Sequence, residues 1–180
     1  MRRTGYPSIG LALASMLVVA TSCGEPTAPA AGPGVPEVGS MSAAAPRPTL
    51  VACQSSAAVS AQGTIGLLGG SVSAGGTTIV IPPGAVLFPQ TFDVTVPASR
   101  LMEVQVTAVG HDRFQFLLPV LVTIDYSRCR GNSSVLAHLS VYYIDDSTKA
   151  LLALMAGTDD KVAQRYTFVT DHLSGYAIAN

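Results

Sequence analysis

The residues of this 180-residue chain that could do chemistry are few and widely spaced. His172-Leu173-Ser174 sets an imidazole two positions before a hydroxyl. On a β-strand, residues two apart share a face, so the ring can take the hydroxyl proton, the first step in making serine a nucleophile. The plain alternative has His172 serving the backbone and Ser174 solvated at a terminal strand. Cys23 is a second reactive position: it follows Arg2-Arg3, the apolar run Ile9 to Ala20 and the small residues Ala20-Thr21-Ser22. That is the layout of a secretory signal with a thiol at the cut. Cys53 and Cys129 either pair in an oxidising compartment, constraining the unfolded chain by roughly 4 kcal/mol, or stand apart as small apolar residues. The histidines, His111, His138 and His172, show no His-Glu-x-x-His spacing, and no Cys-x-x-Cys pair is present. No metal or cofactor is therefore expected. Asp145-Asp146 and Asp159-Asp160 lack the spaced oxygens of a calcium loop and read as turns.

The signal-like segment sets where the chain belongs. Spanning hydrocarbon takes roughly 20 apolar residues, and this run is interrupted by Ser15 and ends near Ala20. The cysteine directly after the small residues resembles the lipobox of bacterial lipoproteins, in which the thiol takes a diacylglyceryl group before cleavage. The resemblance implies a signal peptide over 1–22 and a lipidated Cys23, held on the membrane by its acyl chains. Gly24 rather than aspartate follows, which by the same resemblance favours the outer membrane; plain secretion is the alternative. Lipidation also accounts for the odd member of the three cysteines.

From Cys23 to residue 52 the chain reads as a tether. Six of its twelve prolines (Pro26, Pro29, Pro33, Pro36, Pro46, Pro48) are interleaved with Ala, Gly and Ser, without apolar periodicity. Such a stretch cannot offset its ordering entropy and spans up to about 80 Å if polyproline-like. The rest, 53–180, suffices for one domain. Removing Arg2 and Arg3 from the 10 basic residues leaves 8 against 11 acidic ones, a net −3. Nucleic acid is thereby excluded, since its binding needs clustered Lys and Arg. Arg128 and Arg130, flanking a cysteine, read as a solvated loop.

Past Cys53 come short runs of Val, Ile, Thr, Phe and Tyr separated by Gly, Pro, Asn and Asp, the texture of an all-β domain. Strands are predicted at 71–74, 77–81, 91–96, 104–109, 113–116, 120–126, 137–144, 150–155, 166–169 and 173–179. In the clearest, Val120, Val122, Ile124 and Tyr126 share one face while Leu121, Thr123 and Asp125 share the other. Lys149 to Ala156 also suits a short helix, but after Asp145-Asp146-Ser147 it reads as the return arm of a hairpin. Pro83-Gly84 fits the centre of a type II turn. The predicted architecture is an antiparallel β-sandwich.

Three patterns carry a family resemblance across nearly all of 63–180: Gly69-Gly70-Ser71-Val72, Thr78-Ile79-Val80-Ile81-Pro82-Pro83-Gly84-Ala85, and Asp171-His172-Leu173-Ser174-Gly175-Tyr176-Ala177. Together with Leu118-Pro119-Val120 to Tyr126, they resemble the ZU5 domain, the β-sandwich of ankyrins and netrin receptors. The resemblance implies a structural or protein-interaction module. Some ZU5-containing signalling proteins cut themselves at His-Phe-Ser, where the serine attacks the preceding carbonyl. In this chain the similar step would break Leu173–Ser174 and release seven residues, Ser174 to Asn180.

The expectation is thus a lipid-anchored, extracytoplasmic module of the cell envelope, not an enzyme, whose partner is another envelope protein. Loops such as Asp145 to Thr148 or Thr158 to Lys161 are the natural places for a binding site. The alternative is self-processing at His172 and Ser174.

Overall fold

A computed structural model describes residues 47–129 and 135–180. The chain divides into two units, Met1–Ala43 and Ala44–Asn180, and everything described belongs to the second. Cys23, the signal-like segment, the proline-rich stretch before residue 47 and Arg130 lie outside the described residues.

The described strands are β1 (Val59–Ile65), β2 (Gly70–Ala74), β3 (Thr77–Ile81), β4 (Gln90–Val96), β5 (Glu103–Ala108), β6 (Gln115–Asp125), β7 (Ser140–Ile144), β8 (Leu151–Met155), β9 (Gly157–Asp160), β10 (Arg165–His172) and β11 (Gly175–Ala179). They form two antiparallel sheets: six strands in the order β1-β4-β5-β11-β7-β8, and five in the order β2-β3-β6-β10-β9. The described unit is an all-β sandwich, as the alternation predicts. Val120, Val122, Ile124 and Tyr126 turn inward while Leu121 faces out. Against them pack Phe92, Val94, Val104, Val106, Val141, Tyr176 and Ile178 of the opposite sheet.

Several boundaries differ from the sequence reading, each for a local reason. The stretches 113–116 and 120–126 are one strand, β6, which continues through Pro119. Beside the proline the register against β10 shifts: Val120 faces Thr170, but Gln115 faces His172. A proline has no N–H to donate, and it sits where the ladder is interrupted. β1 and β9 were not anticipated. Both are edge strands, and Val-Ser-Ala-Gln-Gly-Thr-Ile and Gly-Thr-Asp-Asp show little apolar contrast. Val135–Ala137 is a 3-10 turn, and the strand expected from Ala137 starts only at Ser140.

The Pro83–Gly84 turn forms as predicted: the Ala85 N–H donates to the Pro82 carbonyl at 3.1 Å, with Gly84 at φ 83°. The folded unit also reaches back before Cys53. Thr49 N–H donates to Asn180 O (3.0 Å) and Val51 N–H to Ile178 O (2.9 Å), so this segment runs beside the end of β11.

The sandwich has two poles. The entry pole gathers residues 49–53, the β4–β5 and β9–β10 connections and the end of β6. Cys53 and Cys129 are joined there by a disulfide. Arg128, predicted to be solvated, is partly buried beside it: Nη1 donates to Gln54 O (2.9 Å) and Nη2 to Leu101 O (3.0 Å). Burial pushes its pKa down, against a nearby Glu103 that raises it. The far pole gathers the β1–β2, β3–β4, β5–β6, β7–β8 and β10–β11 connections.

Candidate functional site

The far pole holds an open cleft of about 550 Å³. Its floor is apolar, with Phe114 set edge-on to Phe92 (centroids 5.3 Å) and to Phe116 (5.1 Å). Its rim is polar: His111, Asp112 and Arg113 come from the β5–β6 loop, Asp146 from the β7–β8 turn, His172 from the end of β10 and Ser174 from the β10–β11 connection. Acidic and basic groups alternate there, so no single sign of charge prevails.

His172 and Ser174 line the same cleft without sharing a strand. β10 ends at His172 in one sheet and β11 begins at Gly175 in the other, so Leu173-Ser174 is the step by which the chain changes sheets. The common-face argument for a strand therefore does not hold here. No hydrogen bond joins the His172 ring to Ser174 among the described residues. The ring Nδ1 instead lies 3.0 Å from Asp171 Oδ1. That bond holds the Asp171 carboxyl below its usual range.

What the motif does build is a corner. The Tyr176 hydroxyl, inside the core, donates to the His172 carbonyl four residues upstream at 2.6 Å and lies 3.1 Å from Thr170 Oγ1. Thr170 Oγ1 is also 3.1 Å from the same carbonyl. Burial drives the Tyr176 phenol up to about 12, so it stays protonated and remains a donor. Leu173 N–H donates to Phe114 O (3.2 Å) and Ser174 O accepts from Val106 N–H (3.0 Å), so backbone bonds outside the strand ladders hold both sides of Leu173–Ser174. The described non-glycine residues with positive φ, Lys149 and Gln164, lie elsewhere. Gly175 has its own reason: a Cβ there would collide with the Asp146 side chain and crowd Ile144.

One aspartate of each pair braces a turn, Asp145 before the β7–β8 turn and Asp160 at the end of β9, where the sequence reading places both members of each pair in the turn itself. Asp145 Oδ1 accepts from the Ser147 and Thr148 amides (3.0 and 2.7 Å) and from both hydroxyls (2.6 and 2.9 Å). The Ser147 and Thr148 bonds hold its carboxyl well below the ordinary range. Asp160 Oδ1 accepts from the Val162 and Ala163 amides at 3.0 and 2.9 Å. Asp159 Oδ1 takes the Tyr126 hydroxyl at 2.6 Å, and burial followed by this contact raises the Tyr126 pKa. Among the described residues no three His, Cys, Asp or Glu side chains gather as a metal site.

Beside the cleft, the same pole exposes apolar loop tips. Leu67 and Leu68 lie between β1 and β2, and Leu87 and Phe88 between β3 and β4; Leu68 is 89% and Phe88 78% exposed. The Gly84 N–H donates to Leu67 O (2.9 Å) and ties the two loops together. From Ile65 to Phe92 the chain has no charged residue. Asp146 belongs to the Asp145–Thr148 loop expected to carry a site, whereas the sequence reading places no binding site at His111, Asp112 and Arg113. A sequence signal did exist for these three: His111-Asp112-Arg113 is a run of titratable residues in a chain only 12% charged.

No protein-family model matches the chain, and no curated protein matches it.

Proposed function

We propose that the chain is a lipid-anchored, extracytoplasmic module of the cell envelope whose β-sandwich, of the ZU5 type, presents its far pole to another envelope protein. The observation that carries this reading is polar asymmetry. The chain enters the sandwich where a disulfide and Arg128 secure the structure, while the exposed Leu68 and Phe88 and the mixed-charge cleft lie at the opposite end. A module tethered by its N-terminal segment offers its other end outward. Exposed apolar groups beside polar ones are what a protein partner buries. On this reading the role is structural or one of protein interaction.

The test begins with Cys23→Ala. The unaltered chain is expected in the membrane fraction and the variant in the soluble extracytoplasmic fraction. An unaltered chain that is already soluble would overturn the anchor. One observation favours self-processing as a second reading: Asp171 orients the His172 ring at the cleft. In that case the native chain would end at Leu173, and Ser174→Ala would restore the full length.

A further inference from the structure

The far pole is divided in composition. On the cleft side its connections are polar and charged, with His111-Asp112-Arg113 between β5 and β6 and Asp145 to Thr148 between β7 and β8. On the other side lie the β1–β2 connection, 66–69, and the β3–β4 connection, 82–89, and neither holds a single polar side chain. Leu67, Leu68, Leu87 and Phe88 project from them into water.

These two connections are built as one body. Besides the Gly84 to Leu67 bond, a Cβ on Gly69 would collide with the Ile81 carbonyl, so the first loop rests on the start of the second. Leu117 N–H donates to Ala85 O (3.1 Å), and Leu118 Cδ1 lies 3.8 Å from where a Gly84 Cβ would be. The exposed Leu117 and Leu118 thereby extend the same apolar surface. Backbone groups of the loops bond within them: Gly69 N–H reaches Gly66 O at 2.9 Å and Ala85 N–H reaches Pro82 O at 3.1 Å. Pro82, Pro83 and Pro89 have no N–H to satisfy.

We infer that this half of the far pole inserts into the surface of a phospholipid bilayer, with Leu68 and Phe88 deepest. A protein interface carries about one hydrogen bond per 100–200 Å² and a polar rim, and these loops have no side chain to offer either. Lipid asks for the opposite, no charge to desolvate and few open backbone groups. The whole stretch from Ile65 to Phe92 is uncharged. Its tips are projections, which a fluid surface receives without a matching pocket. The chain is acidic, 8 basic against 11 acidic residues once Arg2 and Arg3 are set aside, so anionic headgroups are not what draws it. The polar half with the cleft is left to the protein partner. The inference goes beyond that partner and rests on the folded unit alone, not on acylation of Cys23.

The chain has no tryptophan, so one introduced at a chosen place reports on that place alone. In the full chain carrying Cys23→Ala, which removes any acyl anchor, Phe88→Trp should shift its emission to the blue on adding phosphatidylcholine vesicles and be quenched by brominated acyl chains. Val162→Trp, on the exposed β9–β10 turn at the entry pole, should show neither effect. High salt should leave the binding unchanged, because no ion pairing drives it. Adding Leu68→Ser and Leu87→Ser to Phe88→Trp should weaken vesicle binding at least about tenfold, with the β-type circular-dichroism spectrum kept. Four results would overturn the inference: emission at position 88 that ignores vesicles, equal shifts at both positions, binding lost in high salt, or a shift without lipid that grows with chain concentration and so gives the tips to a second copy. The first of these would return the tips to the protein partner and leave the Cys23 test untouched.

Discussion

The entry pole and the far pole are made from the same strands but joined by different chemistry. At the entry pole, loops are held by covalent and charge-assisted links: Cys53–Cys129, and Arg128 on the carbonyls of Gln54 and Leu101. At the far pole the connections are fixed by turns and by one buried corner, Tyr176 on His172, and they leave Leu68 and Phe88 in water. The covalent cross-link sits where the chain enters, and the opposite loops carry side chains that the fold leaves exposed. A loop with no structural duty is where recognition belongs.

That contrast can be broken most forcefully at the disulfide. Replacing both Cys53 and Cys129 by Ala should cost about 4 kcal/mol in urea unfolding, because the bond closes a long loop with a sequence separation of 76. A loss under about 1 kcal/mol would mean that the entry pole is not what holds the sandwich. Next in size is the corner. Tyr176→Phe removes a buried donor from the His172 carbonyl and should cost about 1–3 kcal/mol, with Leu173 and Ser174 amides exchanging faster by hydrogen-exchange mass spectrometry.

Much of the sandwich was legible because its inner strands alternate cleanly, as in Val120 to Tyr126, and because Pro83–Gly84 has a single sensible geometry. Two of the four described edges were not legible, since β1 and β9 bury little and carry polar residues, whereas β2 and β8 were. The cleft was hidden for another reason: Arg113, Asp146 and His172 come from the β5–β6 loop, the β7–β8 turn and the end of β10, and meet only in space. The His172-Leu173-Ser174 motif was visible, but its geometry depended on a change of sheet between His172 and Gly175 that local spacing does not encode.

A smaller effect sharpens the comparison through pH. The Asp145 pKa is lowered in the folded chain, so its contribution is present above the unfolded value of about 4 and is lost as pH falls through the folded value. The urea midpoint gap between the unaltered chain and Asp145→Asn should therefore be wider at pH 7 than at pH 3. An equal gap at both would remove the carboxylate from the β7–β8 turn. Least of all should stability change with Leu68→Ser and Phe88→Ser, within about 0.5 kcal/mol, since both side chains are exposed. Binding of a hydrophobic dye should fall with the pair. A large loss of stability would make the tips part of the core rather than a free surface.

Intact-mass spectrometry of the native protein bears most directly on the anchored-module reading. The account predicts one species that begins at an acylated Cys23, contains the Cys53–Cys129 bond and runs through Asn180. A chain with Cys23 bare, or one shortened by Ser174 to Asn180, would contradict it.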